Sequence, residues 1–135
     1  PNTSVFNTVI NCWAKCQVAS KAEELFVTMN SLHASGKPNL KPDAFTYTAV
    51  INAWAKSNYR DSAARADQLL DEMESNYLAG DMDMKPSTST YHAVIKALAR
   101  SRGAGAAARA IRVRQNMITS HRKGGYTKAS TIIKV

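Results

Sequence analysis

The stretch from Lys41 to Lys56, Lys-Pro-Asp-Ala-Phe-Thr-Tyr-Thr-Ala-Val-Ile-Asn-Ala-Trp-Ala-Lys, has a copy on either side of it. Upstream, Phe6, Asn7, Val9, Ile10, Asn11, Trp13, Ala14 and Lys15 match Tyr47, Thr48, Val50, Ile51, Asn52, Trp54, Ala55 and Lys56. Downstream, Tyr91, His92, Val94, Ile95, Lys96, Leu98, Ala99 and Arg100 take the same places. The offsets are 41 residues from Phe6 to Tyr47 and 44 from Tyr47 to Tyr91, a period that marks a stacked repeat array. In such an array each unit buries its apolar face against the next, so the 135 residues make a short solenoid rather than one closed core.

The periodicity inside a unit is helical. Phe6, Val9, Ile10, Trp13 and Ala14 fall at i, i+3, i+4, i+7 and i+8, which predicts a helix over 3–15, with Asn2, Thr3 or Ser4 to cap it. Ala22, Leu25, Phe26 and Met29 make a second stripe, predicting a helix over 20–34 that Gly36 stops. Pro38 and Pro42 exclude helix from the linker that follows. Unit two repeats the plan with Asp43 as N-cap, stripes Tyr47 to Ala55 and Ala66 to Tyr77, and Gly80 as its stop. From Ala55 to Ala66 is 11 residues against 8 from Ala14 to Ala22, and the extra three are expected in the inter-helix turn, where insertions are cheap. Unit three starts from Ser87, has Gly103 and Gly105 in its turn, restarts a helix at 106–108 and loses its pattern after Met117. The expected division is 1–43, 44–87 and 88–123, with 124–135 an irregular tail or the start of a further element. Trp13 and Trp54, on the apolar stripes, are expected in the core.

Charge and residue chemistry narrow the function classes. All ten acidic residues lie at or before Asp83, with seven basic ones; eleven basic residues and no acid follow. A net charge of +8 so distributed points to a polyanion, nucleic acid before an acidic membrane surface, or to a solvated basic face. No apolar run approaches membrane-spanning length. Cys12 and Cys16, one helical turn apart, are read as reduced thiols; a zinc site would need two more ligands, and His33, His92 and His121 lie far off without paired spacing. No metal site and no cofactor is expected. Deaminase, nuclease, phosphate-loop and Ser-His-Asp patterns are all missing, so no catalytic residue is assigned and the chain is read as a non-enzyme. It starts at Pro1 without methionine and is expected to be part of something longer.

The aromatic, polar residue and aliphatic pair of the first helix, the Ala-x-x-Leu-(Phe or Leu)-x-x-Met of the second, and the closing Lys-Pro-Asp together resemble the pentatricopeptide repeat family. The resemblance covers residues 1 to 117. The tetratricopeptide alternative wants Trp-x-x-Leu-Gly-x-x-Tyr in its first helix, which the chain lacks. The resemblance implies an all-α fold, a right-handed α-solenoid of antiparallel helix pairs, and sequence-selective binding of single-stranded RNA at one base per repeat. By the same resemblance the base-reading pairs are Asn7 with Asp43, Thr48 with Ser87, and His92 with a partner the chain does not clearly supply. Asn7 with Asp43 resembles a uracil reader, and Thr48 suggests a purine. The family's wedge position near the start of the first helix holds Ser4, Phe45 and Ser89, of which Phe45 alone can stack on a base.

Lys15, Lys56 and Arg100 recur at the end of the first helix in every unit. Spaced one per repeat they are candidates to hold RNA phosphates, and cations also favour helix C-termini without any ligand. A protein-interaction scaffold using the same groove stays open as an alternative, as does self-association through exposed apolar faces on the terminal repeats. The resemblance further implies a mitochondrion or plastid and a role in RNA processing, stability or translation.

Overall fold

The structure is a computed structural model that describes residues 2–57, 61–101 and 105–125, with side chains as far as Thr119. Among these residues the chain forms six α-helices and no strand: α1 Thr3–Lys15, α2 Ala19–Ala34, α3 Ala44–Lys56, α4 Ser62–Leu78, α5 Thr88–Arg100 and α6 Ala106–Gly125. One helix pair therefore follows another along the chain. The expected tail from 126 on, and Gly103 in the third turn, lie outside the described residues.

Each odd-numbered helix starts at a side-chain cap. The Asn2 side chain accepts from the Val5 N–H, Asp43 from Thr46 and Ser87 from Thr90, so one of the unpaired first-turn donors of each helix is satisfied. Three helix ends close with one hydrogen-bond pattern. The N–H of Gly36 goes to His33 and that of Lys37 to Leu32; Gly80 and Asp81 do the same to Tyr77 and Asn76, and Gln17 and Val18 to Ala14 and Trp13. The residue making that reversal sits at positive φ, 105° at Gly36 and 113° at Gly80, where glycine costs nothing, and 61° at Gln17, where a side chain is strained.

Packing follows the repeat. α1 lies against α3 and α3 against α5, while α2 and α4 lean on the first helix of the next pair; no comparable contact joins α2 to α4. First helices stacked on each other with second helices spread behind them give a curved array whose inner face is α1, α3 and α5. One continuous core runs through it, including Ile10, Phe26, Met29, Ile51, Leu69, Met73, Val94 and Val113. The Phe26 and Tyr47 rings meet edge to face at 4.9 Å across the first junction. Buried Leu40 and Met84, each closing a single 3₁₀ turn, plug the core beneath the two linkers.

Four sequence expectations are corrected here. The first linker is not wholly irregular: Pro38–Leu40 forms a 3₁₀ turn, which tolerates proline at its first position because no N–H is needed there. Only two of the three extra residues of unit two lie in the turn, since α4 begins four residues before Ala66 whereas α2 begins three before Ala22. α6 does not end with its apolar pattern at Met117 but continues to Gly125, two residues into the stretch expected to be irregular, because nothing before the glycine pair stops a helix. Trp13 is 37% exposed rather than core, whereas Trp54, in the same place one unit later, packs on the α1–α2 pair before it.

Candidate nucleic-acid interface

The inner face acquires its polar chemistry from the helix caps. Asp43 forms a reciprocal box with Thr46: its carboxylate accepts the Thr46 N–H at 3.1 Å, and the Thr46 hydroxyl accepts the Asp43 N–H at 3.1 Å. Because α3 stacks on α1, this cap lands beside Asn7. The Asn7 Nδ2 group donates to Asp43 Oδ1 at 3.1 Å, and the Thr46 hydroxyl donates to Asn7 Oδ1. The predicted pair Asn7 and Asp43, 36 positions apart, is thus a directly bonded unit.

The next junction repeats this with other chemistry. Ser87 Oγ accepts the Thr90 N–H at 3.2 Å and lies 3.0 Å from the Thr90 hydroxyl, which lies 3.1 Å from that of Thr48. Thr48 and Ser87 are therefore joined through Thr90 rather than directly. Thr46 and Thr90 are both fully buried.

Between α1 and α3 lies a cleft of about 650 Å³ with Asn7, Asp43, Phe45 and Thr48 on its walls, and Asn11 and Asn52 one helical turn further along. Phe45 is 77% exposed, an aromatic ring held open to solvent at the edge of this cleft. His92 is exposed on α5 and does not line the cleft. Lys15 and Lys56 are exposed at the ends of α1 and α3, also outside it. Eight residues of helix separate Asn7 from Lys15, a rise of about 12 Å. Arg100 differs from the two lysines in being engaged: its Nη2 donates to the Ala55 carbonyl at the end of α3.

Behind the groove, charged residues lock the pairs together. Glu23 of α2 accepts from the Trp54 indole at 3.0 Å and from Arg65 Nε at 2.5 Å. The homologous carboxylate Asp67 of α4 is 4% exposed; its Oδ2 is 3.3 Å from Arg112, and its Oδ1 has no partner among the described residues. Burial, with Asp71 nearby, pushes the Asp67 carboxyl above the ordinary carboxylate range. Burial does the same to Glu74, which accepts from the Tyr91 hydroxyl, and also raises Tyr47. Across the two linkers Lys41 and Asp81 pair at 2.7 Å, and their hydrogen bond holds the lysine above and the aspartate below its ordinary value.

Sequence reasoning missed Thr46 and Thr90, and with them Asn11 and Asn52. A signal was present for the threonines: both precede the unit's aromatic, where Val5 stands in the first unit. Residues 4–33 match the family model for the PPR repeat, a span covering all but the end residues of the α1–α2 pair. No curated protein and no solved structure matches the chain significantly. Among the described residues no helix is long and apolar enough to cross a membrane. Residues 4–33 are thus a pentatricopeptide repeat, and with two further helix pairs built on its pattern this supports a pentatricopeptide repeat protein, a helical-repeat type that suggests nucleic-acid binding.

Proposed function

We propose that this chain binds single-stranded RNA along the face formed by α1, α3 and α5, one base to each of the units 1–43, 44–87 and 88–123. The observation that carries the proposal is the Asn7–Asp43 pair, two polar side chains from successive units bonded to each other on the wall of an open cleft. An amide N–H and a carboxylate side by side offer a donor next to an acceptor. Uracil presents the complement, a carbonyl oxygen beside the N3–H, whereas cytosine presents an acceptor at N3. Phe45 supplies a ring on which the base can stack.

Thr48 with Ser87 reads the next base, and His92 the one after. Lys15, Lys56 and Arg100 hold the phosphates in step, Arg100 with the donors left over from its bond to Ala55. The family's usual setting places this activity in a mitochondrion or plastid, in transcript processing, stability or translation. No enzymatic role is assigned.

Fluorescence-anisotropy titration of short labelled oligo-U, oligo-A, oligo-C and oligo-G, with matched DNA, at several salt concentrations tests the proposal. Expected are a preference for oligo-U and a log–log salt slope near −2, about −0.7 for each of three phosphates. Replacement of Asn7 by alanine should abolish the preference while leaving the slope. No binding at low salt would favour a protein-interaction scaffold instead.

A further inference from the structure

The direction of each hydrogen bond in the first reading pair follows from chemistry alone. An ionised carboxylate only accepts, so the group of Asn7 that faces Asp43 Oδ1 has to be the NH₂. The amide oxygen then faces Thr46, whose hydroxyl has to donate to it. That hydroxyl also accepts the Asp43 N–H, which sets its position at the cap of α3, and it lies 3.0 Å from Asp43 Oδ1, so its one proton has two acceptors within reach, Asn7 Oδ1 and Asp43 Oδ1. Thr46 therefore acts with Asp43 as a buried latch: a half-turn of the Asn7 amide, which would exchange donor for acceptor toward the cleft, sets its oxygen against the carboxylate and costs the short bond from the Thr46 hydroxyl.

The second pair has the same latch position and none of this polarity. Thr48, Thr90 and Ser87 are three hydroxyls in a row, at 3.1 and 3.0 Å, and each can donate or accept. The row can run either way. A base presenting an acceptor and one presenting a donor can both be satisfied by reversing it.

We propose that Thr46 and Thr90 are positioning residues that set the hydrogen-bond sense of the reader in the preceding unit, locking it at Asn7 and Asp43 and leaving it reversible at Thr48 and Ser87. This rests on the reading that these pairs face RNA bases. Unit one then discriminates uracil from cytosine, and unit two does not distinguish a base edge that presents an acceptor from one that presents a donor.

The test is the oligo-U to oligo-C affinity ratio by anisotropy, with circular dichroism melting of every variant. Thr46→Val keeps the shape and removes the hydroxyl; the ratio should fall toward one, and Thr46→Ser should restore it. Thr48→Asn with Ser87→Asp builds a second locked reader on the existing Thr90, and the ratio should rise to about the square of the wild-type value, the increment being lost when Thr90→Val is added. This graft decides the matter even if Thr46→Val fails to fold. A folded Thr46→Val that keeps its preference, or a graft whose increment survives Thr90→Val, overturns the latch while leaving the base reading intact. No oligo-U preference in wild type, or one that persists in Asn7→Ala, overturns the base reading and the latch with it.

Discussion

The junction between helix pairs is built twice from homologous positions, and its two copies should respond oppositely to loss of charge. Glu23 is served by the Trp54 indole and by Arg65, on side chains only a quarter to a third exposed. Asp67 occupies the same place one unit later, but Leu98 stands where Trp54 did and brings no N–H, so one buried oxygen is left without a donor. Charge-assisted bonds are roughly twice as strong as neutral ones, so Glu23→Gln should cost about 1 kcal/mol once partial solvent screening is allowed for. For a domain of this size that is a melting shift of about 3 °C.

Asp67→Asn removes a charge that burial disfavours, and it gives up an Arg112 contact on a half-exposed guanidinium that is worth at most about 1 kcal/mol. At neutral pH the variant should match wild type or exceed it by up to about 1 kcal/mol. The pH dependence has a definite sign. The Asp67 carboxyl lies above its ordinary 3.8 in the fold, so the native state holds the proton more tightly than the unfolded chain, and wild type loses stability as pH rises through that interval. Asp67→Asn escapes this loss, so its advantage should be greatest at neutral pH and vanish below about pH 3.8. Urea denaturation followed by circular dichroism from pH 3.5 to 7.5 measures it. An Asp67→Asn penalty equal to that of Glu23→Gln, or an advantage that grows on acidification, would refute the argument.

Gln17→Gly should stabilise the chain by about 0.5 kcal/mol, relief of the left-handed strain being partly offset by added freedom in the unfolded state; an unchanged urea midpoint would show that Gln17 carries no strain. Phe45→Ala should weaken oligo-U binding by about 1–3 kcal/mol without moving the melting curve, since the ring is open to solvent; unaltered affinity would remove it from the interface. Lys15→Gln combined with Lys56→Gln should flatten the salt slope by about 1.4 with melting unchanged. Arg100→Gln, by contrast, should also lower stability by about 1 kcal/mol, because the Ala55 carbonyl loses its partner; identical behaviour of all three cations would contradict that division.

What was legible in the sequence was whatever a single unit determines by itself. The stripes Phe6 to Ala14 and Ala22 to Met29 depend on helical period, and the caps Asp43 and Ser87 on local chemistry, so both were placed correctly, while the first cap was narrowed to Asn2, Thr3 or Ser4 and proves to be Asn2. Trp13 and Trp54 were indistinguishable because their periodic positions are identical; what separates them is the neighbour, which period does not encode. Thr46 was passed over for a related reason. It sits in a helical first turn like any other polar residue, and its importance comes from Asn7 on the preceding helix.

The site shows how far such neighbour relations can still be read from a chain. Asn7 meets Asp43 across 36 positions, while Thr48 is joined to Ser87 across 39, through Thr90. The difference of three equals the residues added in unit two between Ala55 and Ala66 relative to Ala14 and Ala22, two in the turn and one at the start of α4. The lengthened turn changes the covalent distance between the partners and leaves their meeting intact, because helix stacking and the cap at the start of each first helix bring them together. Partners across a junction are therefore found by aligning caps and aromatics between units, not by counting residues. Aligned so, Thr46 and Thr90 fall in one column with Val5, and the two hydroxyls face the helix of the preceding unit, at Asn7 and Thr48.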